Sequence, residues 1–221
     1  MFFNTINKAK NPDILMITPL AKGDIVSYQT LNIISDNDIE IDWITFTGDG
    51  NPYQNFNSAL DLYKTQYSLP KYIIKIDNDI NAKKNMLFDM KRTLDYSKSN
   101  VAYTYCSFNF TGYLNLTINA IPFNSDKLGK TNYISSMSMM KSECLEEIGG
   151  VVTDNKYFRL LDWALWLKFL NYGYMGAPNY FTSFVAYASE NSISNRGFED
   201  YKIKAQRVIE DFFVPYRIKN L

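Results

Sequence analysis

Hydrophobic residues along the chain fall into short blocks whose spacing switches between that of strands and that of helices. Ile14-Leu15-Met16-Ile17 is a continuous apolar run closed by Thr18-Pro19, the pattern of a strand buried on both faces. After a turn at Lys22-Gly23, residues 24–35 are predicted to form a helix with Asp24 as its N-cap. A second strand, Trp43-Ile44-Thr45-Phe46-Thr47, stops at Gly48-Asp49-Gly50-Asn51-Pro52, a dense loop signal. Phe56, Ala59, Leu60, Tyr63 and Tyr67 then recur at helical spacing on one face, and Pro70 ends that helix. Tyr72-Ile73-Ile74-Lys75-Ile76 is a third strand, followed at once by Asp77-Asn78-Asp79. Leu87, Met90 and Leu94 mark a further helix, and Val101 to Phe108 a further strand.

This alternation predicts an α/β fold with a largely parallel, doubly wound sheet, whose ligands bind beyond the carboxyl ends of the strands. The second half changes character. From Gly112 to Ile121 apolar and polar residues alternate strictly, with Leu114, Leu116, Ile118 and Ala120 on one face, which predicts a half-exposed antiparallel strand. Tyr133 to Met140 is predicted as a strand, followed by a short helix ending in Gly149-Gly150. Trp163, Trp166, Leu167 and Leu170 mark a helix that opens at Asp162 and is capped near Gly173. Tyr180 to Ala188 is predicted as a strand, and Ala205, Val208, Ile209 and Phe212 as the face of a terminal helix. With no repeat, linker or low-complexity tract, residues 1–221 are expected to form one domain with a smaller, mixed or antiparallel second half.

Composition narrows the chemistry. The 221 residues are 46% hydrophobic and 16% aromatic, ample for a packed core. There is no histidine, which excludes Ser-His-Asp and Cys-His nucleophile systems, an imidazole base and His-ligated zinc. Acid, base or metal chemistry must then run on carboxylates, hydroxyls, lysines or backbone. The balance of 23 Lys plus Arg against 23 Asp plus Glu argues against a nucleic-acid surface. Cys106 and Cys144 lack metal or disulfide-framework spacing and are expected to be buried thiols in a reducing compartment. MFFNTINKAK has no signal-peptide run, and nowhere do about 18 apolar residues follow one another, so no transmembrane segment is expected. The expected location is cytoplasmic or peripheral to a membrane. Sequons at Asn109 and Asn115 are the number that chance supplies in a chain with 23 Asn.

The carboxylates that remain are sorted by position. With 16 Asp in 221 residues chance supplies about one Asp-x-Asp, and the chain carries two Asp-Asn-Asp triplets. Asp36 to Asp38 falls at the amino end of a strand and reads as a solvated turn. Asp77 to Asp79 falls at a carboxyl end, where two carboxylates one residue apart can face a hard cation such as Mg²⁺ or Mn²⁺. Asp49, between two glycines at the end of the second strand, can accept bonds from a ribose or a base, or serve only as a turn residue. Asp162 reads either as a helix N-cap or as a carboxylate in hydrogen-bonding reach of an incoming hydroxyl. Trp163 and Trp166 read as core ahead of sugar platforms.

Taken together, these residues resemble the inverting family 2 group of nucleotide-sugar glycosyltransferases with the GT-A fold, from about Ile14 to Ser194. ILMITPL resembles the family's first strand, and WITFTGDGN its second, with Asp49 and Gly50 matching the second Asp and the Gly of an Asp-Asp-Gly-Ser element. YIIKIDND resembles the strand that delivers the metal-binding Asp-x-Asp. EEIGGV followed by LLDWALWLKFLNYG resembles the Gly-Gly turn and the helix whose Asp is the family's catalytic base. The chain departs from the family at Gly48 and Leu161, where Asp is usual, and at Ser189 of YASENSIS, where a His is common; Glu190 stands next to it.

The resemblance implies a metal-dependent, hexosyltransferase-type enzyme that moves a sugar from a nucleotide diphosphate sugar, a UDP-sugar first among them, to a glycan, glycoprotein or glycolipid hydroxyl. It puts Mn²⁺ or Mg²⁺ on Asp77 and Asp79, and the nucleotide against Thr18, Pro19, Asp49, Gly50, Asp77 and Asn78. Asp162 becomes the general base. About 13–110 becomes the donor half and about 111–221 the acceptor half. Two alternatives stay open. A sugar-phosphate nucleotidyltransferase would share the sheet and the metal but want a Gly-rich basic loop, and TPLAKGD offers one Lys and one Gly. A catalytically silent carbohydrate-binding or scaffold protein of the same fold would suit the missing His and Gly48.

Overall fold

The computed structural model describes residues 2–35, 39–188 and 198–213. Its strands are β1 (Phe2–Asn7), β2 (Ile14–Leu20), β3 (Ile41–Thr47), β4 (Tyr72–Lys75), β5 (Ile80–Ala82), β6 (Val101–Gly112), β7 (Leu116–Ile118), β8 (Met139–Lys141) and β9 (Met175–Ala188). Its helices are α1 (Tyr28–Leu31), α2 (Pro52–Lys64), α3 (Met86–Asp95), α4 (Ser125–Leu128), α5 (Ser142–Glu147), α6 (Leu161–Asn171) and α7 (Phe198–Phe212).

The apolar run of β2 is continuous because its two faces enter two different cores. Leu15 and Ile17 pack with α2, α6 and α7, while Ile14 and Met16 pack on the opposite face with α3. β4 divides in the same way, Ile73 toward the first core and Tyr72 and Ile74 toward the second. A residue's parity along these strands therefore decides which side of the sheet it serves. α2 starts cleanly: Asn51 and Gln54 form a capping box, and Pro52 occupies the first turn. It stops at Lys64, so Tyr67 lies beyond it and is exposed. Trp163 and Trp166 are core, 1% and 0% exposed, with Trp166 stacked on Tyr103 at 4.6 Å. Cys106 and Cys144 are both buried free thiols.

The strand order is β1-β3-β2-β4-β8-β6-β9-β5, with β7 on β6. Among the described residues only β3-β2-β4 and β6-β9 are parallel; β8 runs antiparallel between β4 and β6, and β1, β5 and β7 are antiparallel additions. The α/β class stands, but the sheet is mixed where a largely parallel one was expected. Strand β8, from the second half, is inserted at its middle.

Three local expectations are corrected. Residues 24–35 form only the single turn α1 and a 3-10 turn, capped by Ser27 and not by Asp24, whose carboxylate instead accepts from the Ala21 N–H. Asn78 explains the late start: it accepts from the Ser27 N–H and donates to the Ile25 carbonyl, holding that backbone out of a helix. Tyr133 to Met140 is a loop except at its end, because Asn132 and Ser135 accept from the N–H groups of Ile134 and Met137, and Ser138 donates to the Ser135 carbonyl. Such local bonds compete with a ladder and win. The alternating stretch from Gly112 splits between the end of β6 and the three-residue β7, with Leu116 exposed. β1 and β5 have no counterpart among the expected strands; both are edge additions, each paired to a strand distant in sequence.

Among the described residues no helix is long and apolar enough to cross a membrane. The first Asp-Asn-Asp triplet and the Ser189-Glu190 pair lie outside the described residues.

Candidate active site at the carboxyl end of β4

Lys75 shares its parity with Ile73 and so points to the side of the sheet covered by α2 and α6. It is 3% exposed, and its ammonium forms an ion pair with one carboxylate oxygen of Asp77, two residues on. The other oxygen of Asp77 accepts from the Ser136 hydroxyl at 3.1 Å. Tyr53, second residue of α2, lies with its ring centroid 5.3 Å from the Lys75 ammonium. Asp162 is the second residue of α6; it does not cap the helix, and Leu160 holds the cap position without a side-chain bond. One of its oxygens accepts from the Trp163 N–H at 2.8 Å and the other from the Asn132 amide at 3.0 Å. The loop at 132–138 thus touches both carboxylates, Asn132 on Asp162 and Ser136 on Asp77.

Long-range charge ties these groups together. Burial raises the Asp162 carboxyl to about 6, against the opposing pull of the Trp163 N–H, the Asn132 amide and the Lys75 ammonium. Asp79 is exposed, yet desolvation first, and then the like charge of Asp77, raise its carboxyl to about 6, with Lys75 opposing. The Tyr53 phenol is pushed well up by burial and then by Asp162 and Asp77. Tyr201 of α7 is raised by burial and then by Asp162, which brings the last described helix to the same place. Two carboxylates that titrate near neutrality around one buried ammonium can exchange protons with a substrate at ordinary pH.

The other predicted residues divide. Thr18 is fully buried and accepts from the Trp43 indole at 3.0 Å, on the α3 side of the sheet and away from Asp162. Pro19 is partly buried at the end of β2, and Asp49 and Gly50 are exposed just past β3. Asn78 spends its amide on the 25–27 backbone. The glycines around Asp49 have a packing reason. A Cβ on Gly48 would lie 2.6 Å from Asn55 Oδ1, and one on Gly50 2.8 Å from Gln54 Cβ, so the first turn of α2 rests against both. Asn55, 5% exposed, donates to the carbonyls of Gly48 at 3.2 Å and Leu20 at 3.5 Å, linking the ends of β3 and β2.

Sequence reasoning missed Tyr53, Lys75, Asn132 and Ser136. Only Lys75 carried a signal, a charged residue inside an otherwise apolar strand. Asn132 closes a polar stretch read as a loop, Ser136 sits in a segment expected to be a strand, and Tyr53 lies in the first turn of a helix chosen for its core face.

Asp77 and Asp79 supply the hard oxygen donors that Mg²⁺ or Mn²⁺ prefers, and a cation between them would relieve the like-charge contact that raises Asp79. Among the described residues no group of three or more acidic, Cys or His side chains is set to hold a metal. The remaining coordination positions would fall to water and substrate, the usual arrangement for Mg²⁺. A surface groove at the amino end of β4, lined by Lys64, Tyr67 and Glu146, contains none of these aspartates.

No protein-family model matches the chain, and no curated protein matches it. Solved structures do. The mannosyltransferase PcManGT from Pyrobaculum calidifontis, in complex with GDP-Man and Mn²⁺, superposes with a TM-score of 0.59 at 14% identity, over 95% of this chain and 68% of that one. The two chains share a fold. TarS of S. aureus superposes with a TM-score of 0.54 at 13% identity over 89% of this chain, which spans 39% of TarS. Residues 1–349 of TarS, in complex with UDP-GlcNAc, give 0.54 at 14% identity, and this chain spans 65% of that structure.

Proposed function

We propose that the protein transfers a sugar from a nucleotide diphosphate sugar to an acceptor hydroxyl with inversion. The observation that carries this reading is the approach of Asp162, in the first turn of α6, to the Lys75-Asp77 pair at the end of β4, on one side of a sheet with this fold. Asp77 and Asp79 would hold Mn²⁺ or Mg²⁺, and the cation would offset the charge that grows on the departing diphosphate. Asp162 removes the proton of the acceptor hydroxyl as its oxygen bonds to the anomeric carbon. The bond from that carbon to the diphosphate oxygen breaks on the opposite side, and the nucleoside diphosphate leaves. Asn132 orients the base and Ser136 orients Asp77. Residues about 13–110 would serve the donor and about 111–221 the acceptor.

The complexes of similar structures with GDP-Man and UDP-GlcNAc support a nucleotide sugar as donor, with both bases to be tried. The test is incubation with radiolabelled UDP-sugars and GDP-mannose, Mn²⁺ and a panel of glycan acceptors. Labelled product or released nucleoside diphosphate is expected. Binding of glycans without turnover of any donor would favour the silent carbohydrate-binding reading instead.

A further inference from the structure

Tyr53 carries a hydroxyl that nothing in the described residues satisfies. The residue is 7% exposed, and its phenol oxygen is closed to water and has no hydrogen-bond partner. Buried hydroxyls are seldom left so, because an unmade bond in the interior costs more than a made bond returns.

Its location says what it serves. The ring lies under the Lys75 ammonium, which is bound to Asp77, and the charges of both Asp162 and Asp77 act on the hydroxyl. In a displacement with inversion, attacking and leaving oxygens stand on opposite sides of the anomeric carbon. The transferred sugar therefore spans the gap between the base at Asp162 and the diphosphate end at Asp77. A hydroxyl within reach of both charges lies alongside that span. The phosphates fall to the cation that Asp77 and Asp79 would hold, whereas a neutral sugar hydroxyl can donate to a carboxylate and still accept from Tyr53.

We propose that Tyr53 reads the donor sugar, its hydroxyl bonding a ring hydroxyl of the hexose being transferred; this rests on the transferase reading. The oxygen is closed to water, so sugar binding is coupled to a shift of the side chains around it. Lys75, whose ammonium lies over the ring 5.3 Å from its centroid, is the one placed to move.

The variant Tyr53→Phe keeps the ring and removes only the hydroxyl. Calorimetric titration with Mn²⁺ present would compare UDP-glucose, UDP-N-acetylglucosamine and GDP-mannose with plain UDP and GDP. The preference of the wild type for its sugar nucleotide over the matching nucleotide should fall roughly three- to tenfold in the variant, the value of one neutral hydrogen bond, while affinity for the plain nucleotide stays the same. The ligand-free variant should melt no lower than the wild type, since the lost hydroxyl had no bond to lose. An unchanged preference in Tyr53→Phe overturns the proposal alone, as does a lower melting point without any change in preference. A wild type that binds none of the five compounds overturns the transferase reading and this assignment together.

Discussion

The side-chain amide of Asn132 donates to Asp162 at 3.0 Å across 30 residues of sequence, and so fixes one oxygen of the candidate base. The bond favours the ionised carboxylate and opposes the burial that raises Asp162 to about 6. Asn132→Ala should therefore move the acid limb of the turnover-pH profile upward. Activity should fall most below pH 7 and recover toward wild type at pH 8, where Asp162 is ionised in either protein. An acid limb that does not move would mean that Asn132 positions the loop only.

Asp162→Asn should lower turnover by roughly 10² to 10⁴ while donor affinity changes little, because a general base acts only as the acceptor proton leaves. Rapid-quench turnover beside donor titration separates the two effects. A loss of donor binding of the same size would assign Asp162 to the donor instead.

The same residue links function to stability. The Asp162 carboxyl titrates near 3.8 when unfolded and near 6 when folded, so between those values the folded protein holds more protons and loses stability as pH rises. Asn at this position removes that loss. The difference in melting temperature between Asp162→Asn and wild type should be more favourable to the variant at pH 7.5 than at pH 4, by scanning calorimetry at both values. Comparing the two pH values cancels any pH-independent cost of the altered bond to Asn132.

Asp79→Ala should weaken Mn²⁺ binding, read by electron paramagnetic resonance of the metal with and without UDP. It should also abolish the Mn²⁺-dependent part of donor affinity. A variant that binds Mn²⁺ and donor as well as the wild type would remove Asp79 from the metal assignment.

Gly48→Ala should destabilise the fold by about 1–3 kcal/mol, since the added carbon meets Asn55 Oδ1 at 2.6 Å and Phe46 Cε1 at 2.9 Å in a packed region. In a background of Asn55→Ala the penalty should shrink, and urea denaturation of the four proteins gives the coupling directly. Strictly additive effects would show that Asn55 is not what excludes a side chain at 48. The same contact gives a physical reason for Gly where the resembled family has Asp: Asn55 already occupies that space and ties β3 to β2.

What the sequence determined by itself was whatever depends on neighbours along the chain. Runs buried on both faces identified β2, β3 and β4; helical spacing identified α2, α3, α6 and α7; and the position of Asp77, Asp79 and Asp162 at element ends followed from those assignments. Where side chains bond the nearby backbone, as at Ser27, Asn132 and Ser135, periodicity misled, because local hydrogen bonds compete with helix and strand without changing the hydrophobic pattern. Tertiary structure alone decided the rest. It inserted β8 between β4 and β6, since strand pairing joins residues far apart in sequence and leaves no local trace. It turned Lys75 inward with Asp77, set Tyr53 beneath that pair, and brought Asn132 and Ser136 to the two carboxylates. The aspartates were legible because their chemistry is in their side chains; the groups that hold them became visible only when distant segments met.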